Sequence, residues 1–277
     1  MSAGREQVSD LIEVTRDGAV ATLRLNRPQA LNALTNQSAR DLRTALAELE
    51  RDREVRAVIL TGNGRGFCAG ADLSDIAAEI GEQASSGSGV PAAAVLDFIR
   101  RDSAPLVEAL LNFDKPLIAA VNGPCAGAGM GLALAADVIV ASEAATFSVV
   151  FTRRGLVPDY GISHLLPRLV GLRLARELCL LADSLNAQDA LQMNLVREVV
   201  PAEELMVAAN RWATRFAAGP PIALRLTKRL LAESFELDAR QAVDREFTAQ
   251  ALCLATEDAR EGVLAFLEKR APNFTGH

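Results

Sequence analysis

Two short glycine-rich segments carry the first hint of chemistry. Each follows an apolar run with strand character. One is AVILTGNGRGFCAGADL, whose turn runs from Gly62 to Asp72; the other is PLIAAVNGPCAGAGMGLALAAD, whose turn runs from Gly123 to Gly131. Small residues there leave backbone N–H groups bare and approachable, just before a helix begins. Two such turns facing each other would hold one developing negative oxygen between two N–H donors. That is an oxyanion hole, and it points to chemistry on a carbonyl or thioester. Asp159, in GLVPDYG, is a candidate proton carrier. The same Pro-Asp pair also suits a turn or an N-cap for a helix at Tyr160, and the two roles do not exclude each other.

The elements that must position these residues read as an α/β pattern. Leu11–Thr15 and Val20–Leu25 read as strands around the Asp17-Gly18 turn signal. Thr35 can cap a helix whose Leu42, Leu46 and Leu49 share one face. Val55–Thr61, Pro116–Asn122 and Val138–Ser142 read as buried strands, and a helix is expected from about Ala92 to Asn112. Gly81–Pro91, with its ASSGSG string, reads as a soft loop or lid. Beyond Leu172 nearly everything reads helical apart from Leu195–Val200. The expectation is an α/β core over residues 1–200 and a helical region over 201–277 for oligomerisation and site closure.

Composition narrows the class. The 277 residues are 50% hydrophobic and 23% charged with a net charge of -6, which suits a globular protein and argues against nucleic acid as the main partner. Cys68, Cys125, Cys179 and Cys253 form no CxxC pair, so reduced thiols are expected and no metal site. Met1 to Asp10 is polar and lacks the apolar run of a signal peptide, and no stretch suits a membrane span. A cytoplasmic location follows as an expectation. A Rossmann reading of the second turn fails, because its third glycine would fall on Leu132.

With NRPQALNAL, GFCAGADL, the Gly127–Gly131 turn, GLVPDYG, LLPRLVG, NAQDALQMNLVREVVP and FLEKRAPNF in order, the chain resembles the crotonase, or enoyl-CoA hydratase/isomerase, superfamily along almost its whole length. That resemblance implies a spiral of repeated ββα units followed by C-terminal helices that build a homotrimer or a dimer of trimers. It implies an acyl-CoA substrate, with coenzyme A entering as part of the thioester and no separate cofactor. Ala71, after Gly70, matches one oxyanion donor, and Ala128, between Gly127 and Gly129, the other. Ala30 and the backbone of Ala69, Asp72 and Leu73 match coenzyme A contacts. Phe266 and Lys269 match positions that reach the nucleotide, commonly that of a neighbouring subunit.

One departure from the family matters most. Hydratases of the family hold a water between two glutamates, and those places fall on Gly131 and Phe151 here. Neither side chain transfers a proton. Asp159 matches an acid of family isomerases, and Phe151 beside it is expected to raise its pKa. Enoyl-CoA isomerisation is therefore the favoured reading. The alternatives are a hydratase working through Asp159 alone, a dehalogenase-like attack by that aspartate, and an acyl-CoA binding protein without catalysis. His164 reads as a packing or surface residue, Arg153 and Arg154 as ion-pairing surface residues, Cys68 as a packed one and Asp72 as a helix cap.

Overall fold

The computed structural model describes residues 5–84 and 91–277. From the N-terminus run β1 (Arg5–Ser9), β2 (Ile12–Asp17), β3 (Val20–Leu25), α1 (Asn36–Arg51), β4 (Ala57–Gly62), α2 (Leu73–Ala84) and α3 (Ala92–Leu111). Then come β5 (Leu117–Val121), β6 (Pro124–Ala126), α4 (Ala128–Leu134), β7 (Val138–Ser142), β8 (Thr146–Ser148), α5 (Ile162–Val170) and α6 (Leu172–Leu181). The remainder is β9 (Ser184–Asn186), α7 (Ala187–Gln192), β10 (Glu198–Val200), α8 (Leu205–Ala217), α9 (Pro221–Glu233), α10 (Ala239–Leu254) and α11 (Glu257–Glu268).

The main sheet has the order β1-β2-β3-β4-β5-β7-β10. Its first three strands form an antiparallel meander, and β3 to β10 run parallel. Every residue of β4 (AVILTG) and β5 (LIAAV) is buried, as a parallel strand covered on both faces requires. Alternate side chains separate cleanly. Val58, Leu60, Leu117, Ala119 and Val121 share a core with Leu42, Leu46 and Leu49 of α1. Ala57, Ile59, Ile118, Ala120 and Val140 meet Leu205, Ala208, Ala209, Ala213 and Ala217 of α8 on the other face. A small second sheet, β6-β8-β9, lies at the level of the second glycine-rich turn.

Thr35 does cap α1. Its hydroxyl accepts from the Ser38 N–H, and the Ser38 hydroxyl accepts from the Thr35 N–H, a reciprocal capping box. Two expectations need correction. α2 continues through Gly81 to Ala84, because the surrounding Ala, Glu and Gln residues favour helix and one glycine costs only about 1 kcal/mol; residues 85–90 of the expected soft segment lie outside the described residues. The helix after GLVPDYG starts at Ile162 rather than Tyr160, with Gly161 at its N-cap position.

The α8 face is built from alanines, so helix and sheet approach closely and leave no room for larger groups. Ala213 is 0% exposed. Ala213→Leu is expected to destabilise the fold by about 1–3 kcal/mol. Urea unfolding checks this, and an unchanged midpoint would contradict the packing described.

Candidate active site

Both glycine-rich turns sit at the carboxyl ends of adjacent parallel strands, the first after β4 and the second after β5. That is where open parallel sheets place their ligand sites. The two turns are stitched together. Cys68 and Cys125 form a parallel bridge, with the Cys68 N–H donating to the Pro124 carbonyl at 3.0 Å and the Ala126 N–H donating to the Cys68 carbonyl at 2.9 Å. On its other side the first turn is held by the 27–34 segment. The Ala69 N–H donates to the Leu31 carbonyl at 3.0 Å, the Leu34 N–H to the Gly70 carbonyl at 2.8 Å and the Asp72 N–H to the Leu34 carbonyl at 2.7 Å.

These bonds fix where the Ala71 amide points. The Gly70–Ala71 peptide, like the others among the described residues, is trans, so the Ala71 N–H lies opposite the Gly70 carbonyl. That carbonyl faces Leu34, and the Ala71 N–H therefore faces the β6 side, where the second turn lies. A regular strand would have turned the Gly70 carbonyl toward β6 instead. The φ of +110° at Gly70 breaks the alternation, a torsion that glycine adopts without steric cost. Gly70 is also the neighbour of the second turn: a Cβ built on it would lie 3.7 Å from the Ala128 nitrogen.

Gly127 opens α4 with φ 54° and ψ −123°, and its carbonyl accepts from the Met130 and Gly131 N–H groups. The Ala128 N–H must then point out of the helix, away from that carbonyl. Ala128 is only 2% exposed. Neither the Ala71 nor the Ala128 N–H has a hydrogen-bond acceptor among the described residues. Ala128 is buried and Ala71 half-buried, and amides so placed are normally paired; two neighbouring unpaired donors leave room for an acceptor oxygen. Gly129 lets α4 approach this closely, because a Cβ there would collide with the Cys68 carbonyl oxygen.

The Cys68 thiol reaches the Gly70 carbonyl at 3.8 Å and the Cys125 thiol the Gly129 carbonyl at 3.4 Å. Burial pushes the Cys68 thiol up to about 12 and raises Cys125 likewise, so both stay protonated, packed donors. Asp72 accepts from the Ser74 hydroxyl and N–H at the start of α2 and pairs with Arg27 at 3.0 Å. The Ser74 hydroxyl above all, with Arg27 adding, holds its carboxyl below the ordinary value.

Arg27 and Asn32, both within NRPQALNAL, also shape the site without standing out by residue type. Asn32 is 1% exposed and left-handed, with a φ of 58°. Its carbonyl oxygen accepts from the Arg27 N–H at 2.8 Å, and its amide donates to the Asn63 and Gly66 carbonyls at 2.9 and 2.7 Å. The signal was an asparagine inside a turn, one of the few non-glycine residue types enriched at that torsion. Through these bonds Ala30, Ala69, Gly70, Ala71, Asp72 and Leu73 come together around the first turn.

Asp159 belongs to the same neighbourhood. The next residue, Tyr160, presses on α4: a Cβ on Gly131 would lie 2.5 Å from both the Cβ and the carbonyl oxygen of Tyr160. Gly131 is close to one helical turn beyond Ala128. Phe151 joins from the same loop, its Cζ 3.9 Å from a Cβ built on Gly127. The Asp159 carboxyl reaches solvent yet is ringed by enough protein that desolvation raises it from 3.8 to about 6, its own N–H pulling weakly the other way. No side-chain bond caps α5, so the helix-cap reading of Asp159 is overturned. Phe266 and Lys269 lie elsewhere, at the end of α11, which packs on α10. The Phe266 ring is 82% exposed and contributes nothing to the turns within one chain.

The described residues hold no cluster of three metal-ligating side chains, and no helix long and apolar enough to cross a membrane. His164 is exposed on α5, and Arg153 pairs with Asp183 at the surface at 2.7 Å.

A family model described as enoyl-CoA hydratase/isomerase matches residues 15–277. The chain is 40% identical over 259 residues to the 1,2-epoxyphenylacetyl-CoA isomerase of Escherichia coli K12, covering 93% of this chain and 95% of the relative. It is 39% identical over 270 residues to the 2,3-dehydroadipyl-CoA hydratase of the same organism, covering 97% and 100%. Among solved structures, an enoyl-CoA hydratase subunit I of Geobacillus kaustophilus HTA426 superposes with a TM-score of 0.87 at 35% identity, covering 97% of this chain and 100% of that one.

Tyr160 leaves no room for a side chain at position 131. Gly131→Ala is expected to cost about 1–3 kcal/mol in chemical denaturation, because backbone as well as side chain must give way. A neutral substitution would show that the space is free.

Proposed function

The chain belongs to the enoyl-CoA hydratase/isomerase family, and from that premise we propose that it moves the double bond of an enoyl-CoA thioester. Asp159 acts as base and then as acid, and the Ala71 and Ala128 N–H groups hold the thioester oxygen. In a 3-enoyl thioester the Asp159 carboxylate removes an α proton. The C–H electrons form the new α bond, the dienolate charge rests on the thioester oxygen, and the carbonyl π bond becomes single. The charge then returns and the carbonyl re-forms; the π pair next to it moves to the α–β bond, and the β–γ π pair takes the proton from Asp159 at the γ carbon. One oxyanion donor contributes about 3–4 kcal/mol to such a transition state.

The carrying observation is the Asp159 carboxyl, without a side-chain partner among the described residues and raised to about 6, beside an α4 surface with no space for a side chain at position 131. A proton shuttle needs one group that both takes and gives. Water addition by the two-glutamate route needs two, and both of those places lack a carboxylate here. The relative at 40% identity is named for isomerising an epoxide rather than an alkene, and a hydratase at 39% stands almost level, so the weight rests on the residues. Ala30, Ala69 and Leu73 would carry the adenine end of coenzyme A. The Ala69 and Asp72 N–H groups are already bonded, which leaves carbonyls such as that of Ala69 for the ligand. Phe266 and Lys269 would serve the nucleotide across a trimer interface.

With trans-3-enoyl-CoA the enzyme is expected to generate the conjugated thioester absorbance, and with crotonyl-CoA to leave it largely intact. Asp159→Asn is expected to lower turnover by roughly 10²–10⁴-fold with acyl-CoA binding nearly unchanged. The base works ionised, so kcat/KM of the wild type should fall as pH drops through about 6. Loss of crotonyl-CoA absorbance would indicate a hydratase, no change with either substrate a binding protein, and an active Asp159→Asn would refute the assignment.

A further inference from the structure

Asp159 has no side-chain partner that aims it, so its direction is set by the backbone that carries it. That backbone is sparsely anchored. Across residues 152–161 only Tyr160 is buried, at 8% exposure, while Leu156 and Val157 are 45% and 79% exposed. Tyr160 itself holds a φ of 50°, a left-handed torsion uncommon for an aromatic residue and maintained only where its surroundings enforce it. Two contacts do so. Its Cβ and carbonyl fill the space over Gly131, and its hydroxyl donates to the Ser103 hydroxyl on α3 at 3.0 Å.

The Ser103 end is a fixed post. Its neighbour Asp102 is 4% exposed and pairs with Arg40 of α1 at 2.7 Å, which ties α3 to the capped helix packed on the sheet. The phenol therefore links the turn before α5 to α3, while its Cβ seats the same turn on α4. Burial pushes the phenol up to about 12, so the proton that makes the link is present throughout the working range.

We propose that Tyr160 is a positioning residue: its hydrogen bond to Ser103 and its contact with Gly131 hold the Asp159 carboxylate over the acyl chain held by the two amides. The inference rests on the isomerase reading and adds to it a device that aims the base. A reacting group displaced by about 1 Å loses on the order of a hundredfold in rate. Removing the hydroxyl alone leaves the ring in place and should cost less.

The experiment compares wild type, Tyr160→Phe, Ser103→Ala, the double variant and Asp159→Asn on trans-3-enoyl-CoA. The expected result is a kcat reduced about tenfold in each single variant, with KM within about twofold. The double variant should be no slower than either single one, since both remove the same bond. Ser103→Ala sits on a helix and favours it, so it tests the bond even if Tyr160→Phe folds poorly. Unchanged kcat in Ser103→Ala, or a lower Tm without a kcat effect in Tyr160→Phe, would overturn the positioning role and leave the isomerase reading standing. An inactive wild type, or an Asp159→Asn variant with full turnover, would overturn the reading and this inference with it.

Discussion

The stitching of the first glycine-rich turn between the 27–34 segment and β6 is the constraint from which the rest of the site follows. Cys68 pairs toward β6, Ala69 toward Leu31, and Gly70 then departs from strand alternation to send its carbonyl to Leu34. That departure turns the Ala71 amide toward the second turn. The second turn reaches it because Gly129 lets α4 press on Cys68. The bare donors are thus a by-product of bonds made elsewhere: the Cys68, Gly70 and Gly127 carbonyls are committed, and two amides remain. Placing them at the ends of β4 and β5, both wholly buried, gives the pair a rigid support.

The second half of the chemistry depends on space. The surface of α4 at Gly131 is occupied by Tyr160, and Phe151 is an apolar wall beside Gly127. Beside them lies Asp159, whose ionised form is disfavoured by the protein around it. A carboxyl near 6 is a better proton acceptor than an ordinary aspartate and still ionised at neutral pH. Partial desolvation at Asp159 and the lack of room at Gly131 thus act in one direction.

Much of this was legible in the sequence, and the exceptions have physical reasons. The capped α1, the buried parallel strands and the C-terminal helices follow from capping residues and periodicity, and they stand within a few residues of expectation. β1 escaped because REQVS is polar and pairs as a sheet edge. β6, β8 and β9 are three residues each, too short for any alternation to register. The turns could be read as donor-bearing from their glycines. That Gly70 flips the peptide, that Asn32 ties two loops and that Tyr160 fills the space over Gly131 are matters of tertiary contact. The N-cap suggested by Pro-Asp failed for the same reason: Tyr160 takes a left-handed turn and passes the cap position to Gly161.

The claim at the centre is that two main-chain amides hold the thioester oxygen. The carbonyl stretch of an isotopically edited enoyl-CoA, taken by difference infrared spectroscopy, reads that contact directly. Bound to this protein, the stretch should move to lower frequency than in water, as two donors draw charge onto the oxygen. A band at its aqueous position or above, with the ligand demonstrably bound, would contradict the account.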